Sequence, residues 1–317
     1  ISVNYSENSG TTLYGYTDST RALGMNFKSN APGWGFIFGQ QPDTLFVNRL
    51  GRKGLLSADP EFNFLNKQDY NQKLSLNAQL NPMRDLTIDV NLDQSFGKTY
   101  SELYKDTIGF TGKFSRLSPY AGGSFSISYI SFKTLFENGS VYEVSKTFKQ
   151  FESNRIVISQ RLGKLNSYTD SLGLGQGADG FYQGYGKYAQ DVLIPAFIAA
   201  YTGRDPGSIS LIKQSNPNTK SNPFKGYTPL PNWRVTYNGL TRIPGLEKIF
   251  SNFTLSHAYT CNLGMNSYNS SLLFQDPLRI GYPGFIDTLT GNFVPFFLVP
   301  NITISEQFAP LIDVDMQ

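Results

Sequence analysis

The stretch from Leu86 to Tyr104 alternates between apolar and polar side chains over an unusual length. Seven of its ten even-numbered positions are apolar or aromatic, and eight of its nine odd-numbered positions are polar or glycine. A period of two is typical of a β-strand with one apolar and one polar face. At roughly 3.3 Å per residue the strand would span about 60 Å, whereas ordinary strands have about 5–6 residues. The fold must therefore accommodate one very long strand.

Such a strand is rare in a soluble sandwich and common in an outer-membrane barrel, because about 9–11 tilted residues already cross a bilayer. Charged residues make up 16% of the chain and aromatic residues 15%, against about 25% charged residues in soluble domains. The sequence contains no run of 18 apolar residues, so it predicts no membrane-spanning helix. We predict an all-β membrane protein: an arc of a very large antiparallel transmembrane β-barrel with long extracellular loops and a helical insertion. An extracellular β-sandwich is the alternative.

The segments around the long strand follow the same pattern. A tight turn over 81–85 joins it to an alternating segment over 70–80, and short turns of this kind are typical of the periplasmic ends of barrel strands. A second long alternating segment covers 253–265, with small polar residues on its even-numbered face. After the long strand, the sequence predicts an external loop over 104–123.

Alternation assigns side chains to the two sides of the predicted barrel wall. The polar side is expected to line a water-filled lumen, at Asp89, Asn91, Asp93, Asn262 and Asn266. The apolar side is expected to face lipid, at Leu86, Ile88, Val90, Leu92, Phe253, Leu255 and Leu263.

In the middle of the chain the alternation is replaced by helical spacing. The pattern predicts one helix over 141–162 and a second over 185–203, which Gly203 ends and Pro195 kinks or breaks. We expect the helices to be lumenal or extramembrane insertions that narrow or cap the pore. Residues expected to contact the cap or a partner are Trp34, Phe36, Tyr188, Ile194, Phe197 and Tyr201.

These assignments divide the chain into three regions. Barrel strands with loops are expected over 1–136 and again over 229–317, and a mainly helical or loop insertion over 137–228. The chain begins at Ile1 and ends within an alternating segment. We therefore expect it to be a fragment of a longer protein.

No residue pattern indicates catalysis or cofactor binding. Asp89 and Asp93 share a strand face about 13 Å apart, beyond the roughly 5–9.5 Å of a glycosidase pair. His257, the only histidine, lies on the apolar side of a strand, which favours a packed or interfacial ring. The glycine-rich run 173–177 lacks the strand, lysine and helix of a phosphate loop. Scattered Lys and Arg residues give no nucleic-acid footprint. We predict a non-enzymatic protein without cofactor, metal or nucleic-acid partner.

Several phrases, in the same order and along nearly the whole chain, resemble one protein family. They are NAPGWGFIFGQQPD (30–43), GSFSISYISFKTLF (123–136), YGKYAQDVLIPAFIAAYTGRD (185–205), PLPNWRVTYNGL (229–240), TGNFVPFF (290–297) and ISEQFAPLIDVDM (304–316). The chain resembles the SprA (Sov) family, the outer-membrane translocons of the type IX secretion system, which are associated with gliding motility. Members of that family are several times longer than this chain, in agreement with the expectation of a fragment.

The resemblance implies a single-chain barrel of exceptional size in the bacterial outer membrane, through which folded cargo leaves the periplasm. The partners it implies are a PorV-type outer-membrane barrel, a periplasmic plug protein, secreted cargo proteins and outer-membrane lipid. It implies no catalytic residue and no cofactor. Two other functions remain open: a porin-like or nutrient-uptake barrel, and a secreted glycan-binding β-protein.

Overall fold

The structure is a computed structural model that describes residues 1–43, 45–132, 143–214 and 220–317. It is dominated by antiparallel strands, with few helices. In chain order the elements are β1 (Ser2–Thr12), α1 (Trp34–Ile37), α2 (Phe46–Arg52), β2 (Asn66–Met83), β3 (Leu86–Asp106), β4 (Phe114–Ser128), α3 (Lys146–Leu165), α4 (Ser167–Ser171), α5 (Gln190–Thr202), β5 (Asn232–Tyr237), β6 (Phe253–Ser270), β7 (Phe297–Leu298), β8 (Thr303–Phe308) and β9 (Asp313–Met316).

The nine strands of the described part form one antiparallel sheet in which neighbours in sequence lie side by side. β4 pairs with Gln94–Asp106 of β3, and β5 pairs with Leu86–Asn91 of the same strand. Both also pair with β6, so they occupy one position in the sheet. β7, β8 and β9 similarly share one position along β6. The sheet thus has six positions in simple up-and-down order: β1, β2, β3, β4 with β5, β6, and β7 to β9.

The strand formed by β4 and β5 is interrupted between Ser128 and Asn232, and polar side chains close the interruption. The Ser128 hydroxyl accepts the N–H of Asp93 at 3.0 Å, and the Asn232 side-chain oxygen accepts the N–H of Cys261 at 2.8 Å. The N–H of Leu230 donates to the carbonyl of Ser128 at 2.9 Å. These bonds satisfy backbone groups that a broken strand would otherwise leave unpaired.

The long strand predicted from alternation is confirmed as β3, but the predicted loop after it is wrong. β4 begins at Phe114 and pairs with β3, so only residues 107–113 connect the two strands instead of 104–123. The Asp106 carboxylate holds this short connection by accepting backbone N–H groups, including that of Gly112 at 2.6 Å. Glycines and a register shift within β4 obscure its period of two, which explains the error.

The two predicted helices exist with different limits. α3 begins where the Ser145 hydroxyl accepts the N–H of Phe148 at 3.0 Å, a side-chain cap of the usual kind. It ends later than predicted, and residues 141–142 of the prediction lie outside the described residues. α5 continues through Pro195 and ends at Gly203, whose φ of 68° is the left-handed conformation expected of a helix C-cap. The predicted region boundary at residues 136–137 also lies outside the described part.

The helical insertion packs against one face of the sheet and forms the main core with it. Val192 and Ile198 of α5 and Ile158 of α3 have no exposed surface. Phe224, from the segment after α5, packs between Phe125 of β4 and Tyr268 of β6, with ring centroids 5.3 and 5.2 Å away. A second, smaller core joins α2 to the end of the β3–β4 hairpin.

Candidate functional site

The five residues predicted to line a lumen lie on one polar face of the sheet. Register pairs Asn91 with Asn77 of β2 on one side and Asn232 of β5 on the other. Asn262 lies on the same face two positions away, where its side-chain oxygen accepts the Ser126 hydroxyl at 3.0 Å. The remaining members of the predicted set, all on this face, are Asp89, Asp93 and Asn266.

Side chains on the polar face bond to one another across the strands. The Ser75 hydroxyl donates to Asp93 at 2.7 Å, and the Gln79 amide donates to Asp89 at 3.1 Å. Arg234 lies opposite Asp89 in register, so charges of both signs occur together. Gln79, Asp89 and Arg234 line an open recess of about 550 Å³. The face is therefore a hydrated surface of mostly small and neutral groups.

The opposite face is apolar, and its part nearest the 81–85 turn is not covered by the helical insertion. Register aligns side chains from every sheet position there: Val3, Leu76, Ala78, Leu80, Leu86, Ile88, Val90, Leu92, Val235, Tyr237, Phe253, Leu255, Val314 and Met316. We call this set the open apolar band. Along β3 it extends over about 20 Å of strand. It includes six of the seven residues predicted to face lipid.

Leu263 is the exception, and the prediction that it faces lipid is wrong. It lies on the same face of β6 as Leu255 but has no exposed surface. The insertion covers this end of the strand, and Leu263 is part of the core that the insertion forms with the sheet. The insertion packs on the apolar face, and the expectation of a lumenal or extramembrane insertion stays a prediction.

A cluster of aromatic rings marks the border between the covered end and the open apolar band. Trp233 and Phe132 each lie 4.8 Å from the ring of Tyr259, and Phe308 lies 5.2 Å from it. His257, beside Phe308, donates its Nδ1–H to the Leu311 carbonyl oxygen at 2.6 Å. The sequence indicated the odd-numbered face for Trp233 and Tyr259, but only strand register brings these rings together.

The six residues predicted to contact a cap or partner do not form one surface. Trp34 and Tyr188 are exposed, at 41% and 71%. Phe36 stacks on Phe46 in the smaller core. Ile194 is buried within the insertion, where it contributes to the main core.

The remaining two aromatic residues of that set, Phe197 and Tyr201, lie on α5 with ring centroids 4.5 Å apart. Both are half-buried. Phe197 also makes an edge contact with Phe151 of α3. They therefore contribute to packing within the cap formed by the insertion.

One buried acid in the insertion was not anticipated. The Asp191 side chain, in the first turn of α5, accepts the Gln214 amide at 2.7 Å. Gln214 in turn accepts the N–H of Phe296 at 2.8 Å, which ties the helix to the segment before β7. Burial raises the pKa of Asp191 to about 7, although the hydrogen bond from Gln214 acts in the opposite direction.

In the part of the chain that the structure describes, no three His, Cys, Asp or Glu side chains lie close enough together to hold a metal ion. Cys261, a free thiol, is buried. None of the helices in the described ranges combines the length and the hydropathy that crossing a membrane requires.

Comparison with known protein families gives no match to the chain. Comparison with curated proteins gives no match either.

Proposed function

We propose that this chain forms part of the wall of a large outer-membrane β-barrel that conducts folded proteins from the periplasm to the cell surface. The observation that carries the proposal is the division of the sheet into a continuous polar face and an opposite open apolar band. A soluble β-sandwich buries the apolar face of each sheet against a second sheet. Four members of the band are exposed and the other ten are half-buried. A contiguous apolar surface left partly open over this extent favours lipid or a partner that covers it.

The aromatic cluster supports the same orientation. Tyr and Trp are enriched where a membrane meets water, and Trp233 and Tyr259 lie where the open apolar band ends. The insertion covers the apolar face beyond that border. If the 81–85 turn is periplasmic, the insertion caps the wall on the extracellular side, outside the lumen.

Two further features favour a barrel wall that contains more strands than the nine described here. In the described residues, β1 pairs only with β2, and the strands at the other edge pair only with β6. Both edges are therefore available for further strands. Polar side chains that are mostly small and neutral give passing proteins little to bind.

The resemblance to the SprA family supports protein cargo over small solutes. It also supports a PorV-type barrel, a periplasmic plug protein and outer-membrane lipid as partners. The porin-like and the secreted glycan-binding functions remain the alternatives, and each makes a different prediction about location or transport.

Cysteine labelling tests the assignment of the two faces. In a Cys261→Ser background, we expect Asn91→Cys in purified outer membranes to react with a water-soluble maleimide and Val90→Cys to be protected. These neighbours differ only in face, so each controls the other. Equal labelling of both, or protection of Asn91→Cys alone, would contradict a lipid-facing band opposite a wet lumen.

Fractionation and gene deletion test the transport role with the full-length protein. Recovery of the protein in the soluble extracellular fraction would contradict the barrel proposal. In a deletion strain, we expect large secreted proteins to accumulate in the periplasm and export to return on complementation. Normal export together with impaired uptake of one small solute would support the porin-like alternative instead.

A further inference from the structure

A pocket of about 360 Å³ lies between β3, the beginning of β4 and the segment after β6. Its volume falls in the range of small-molecule sites. The side chains that define its character are Tyr100, Arg116, Pro119, Leu272, Phe274 and Phe296. It uses no residue of the open apolar band or of the predicted lumen, so it is independent of the proposed function.

The polar end of the pocket is formed by Arg116. Its Nε lies 3.2 Å from a carboxylate oxygen of the buried Glu102, which also accepts the Tyr100 hydroxyl at 2.9 Å. Arg116 Nε and Nη2 are shielded from solvent, but the side chain as a whole is 31% exposed, so part of the guanidinium is open to the pocket.

The other end of the pocket is apolar and aromatic. Phe274 and Phe296 meet edge to face with ring centroids 5.1 Å apart. Leu272, 74% exposed, stands at the rim of the pocket. A ligand ring placed here would find apolar and aromatic surface while leaving its polar substituent near the guanidinium.

We propose that this pocket binds a small monocarboxylic acid that carries one aromatic ring. A carboxylate is a favourable acceptor for the charged donors of a guanidinium. Glu102 already neutralises much of the Arg116 charge, so a singly charged ligand fits better than a dianion such as a phosphate monoester. The ring would occupy the Phe274 and Phe296 end.

Isothermal titration of the purified full-length protein in detergent tests this proposal with 3-phenylpropionate as the probe. The neutral 3-phenylpropanamide has nearly the same shape and is the matched control ligand. We expect the acid to bind at least tenfold more tightly than the amide. Equal affinities for acid and amide, or tighter binding of phenyl phosphate, would overturn the proposed ligand class.

Substitutions test which residues bind the acid. Arg116→Gln should weaken acid binding at least tenfold, and Arg116→Lys should weaken it less. Arg49→Gln, which alters an exposed arginine paired with Asp43, should leave the affinity unchanged. Undiminished binding by Arg116→Gln would contradict the assignment.

If Arg116→Gln does not fold, Leu272→Trp provides a second test. Leu272 is exposed at the rim of the pocket, so a larger ring there should fill the pocket without disturbing the pair formed by Arg116 and Glu102. We expect this variant to lose acid binding. Wild-type affinity in Leu272→Trp would exclude the pocket as the site.

Discussion

At the scale of single residues, Asp191 has the clearest consequence for stability. The residue is 4% exposed, and its carboxyl group joins α5 to Phe296 through Gln214. A carboxylate in the first turn of a helix is favoured by the helix dipole. Burial opposes ionisation more strongly, because the pKa rises from 3.8 to about 7. The folded insertion therefore holds a proton that the unfolded chain releases.

This proton makes stability depend on pH. Its contribution is fully present below the unfolded pKa of 3.8 and is lost as the pH rises through the folded pKa of about 7. The loss amounts to about 1.4 kcal/mol per pH unit between these values. Asp191→Asn keeps the acceptor for Gln214 but cannot ionise. We expect the thermal midpoint of Asp191→Asn to fall less between pH 5 and pH 8 than that of the wild type.

The control for this experiment is Asp170→Asn, which alters an exposed carboxyl group on the neighbouring helix α4. It should retain the wild-type dependence on pH. The same pH dependence in Asp191→Asn and wild type would show that Asp191 does not titrate across this interval.

At the scale of elements, the interruption between β4 and β5 is the least regular part of the sheet. Two strands that share one position are separated in sequence by the whole helical insertion. On both sides of the gap, side-chain oxygens rather than backbone carbonyls accept the backbone N–H groups of the neighbouring strands. The insertion can therefore leave the sheet in the middle of a strand without unpairing its neighbours.

Asn232 is central to this arrangement. Asn232→Ala removes the acceptor of the Cys261 N–H and leaves a shielded donor without a partner. We expect a local loss of about 1–3 kcal/mol. Hydrogen exchange followed by mass spectrometry should show faster exchange in the middle of β6. Asn266→Ala, on the exposed face of the same strand, serves as the control and should exchange like the wild type. Unchanged exchange in Asn232→Ala would contradict a role in closing the gap.

At the scale of the whole molecule, the insertion and the sheet form one body. Contacts extend from the centre of the sheet to its edge, where Lys220 pairs with Glu7 of β1 at 3.1 Å. The insertion thus braces several strands on the apolar side. Among the described residues of the polar face, Asn91, Asp93 and Asn262 stay exposed.

Phe224 tests how tightly the two layers are joined. Phe224→Ala removes a fully buried ring that packs between Phe125 and Tyr268, and such truncations cost about 3–5 kcal/mol. We expect exchange of α3 and α5 amides to accelerate while the β2–β3 hairpin stays protected. Phe110→Ala, at an 81% exposed ring, should have no such effect. Equal acceleration in the hairpin would mean that the layers do not open separately.

Much of the architecture could be predicted because it depends on local rules. Successive side chains of a strand point to opposite faces, so the alternation over 86–104 assigned Val90 and Asn91 to different faces before any partner was known. The cap at Gly203 followed from the low cost of a left-handed glycine. β4 was hard to predict from the same local rules, because Gly122 and Gly123 have no side chain and so interrupt the apolar alternation.

What covers a face is a non-local property, and only the tertiary structure decided it. Leu255 and Leu263 have the same side chain, lie on the same strand and point to the same face, yet one belongs to the open apolar band and the other is buried. They are about 26 Å apart along β6, and only one lies under the insertion. The long strand that begins at Leu86 is likewise divided: its first part is open and its last part is covered. Alternation sets the direction of a side chain, whereas its surroundings depend on segments distant in sequence.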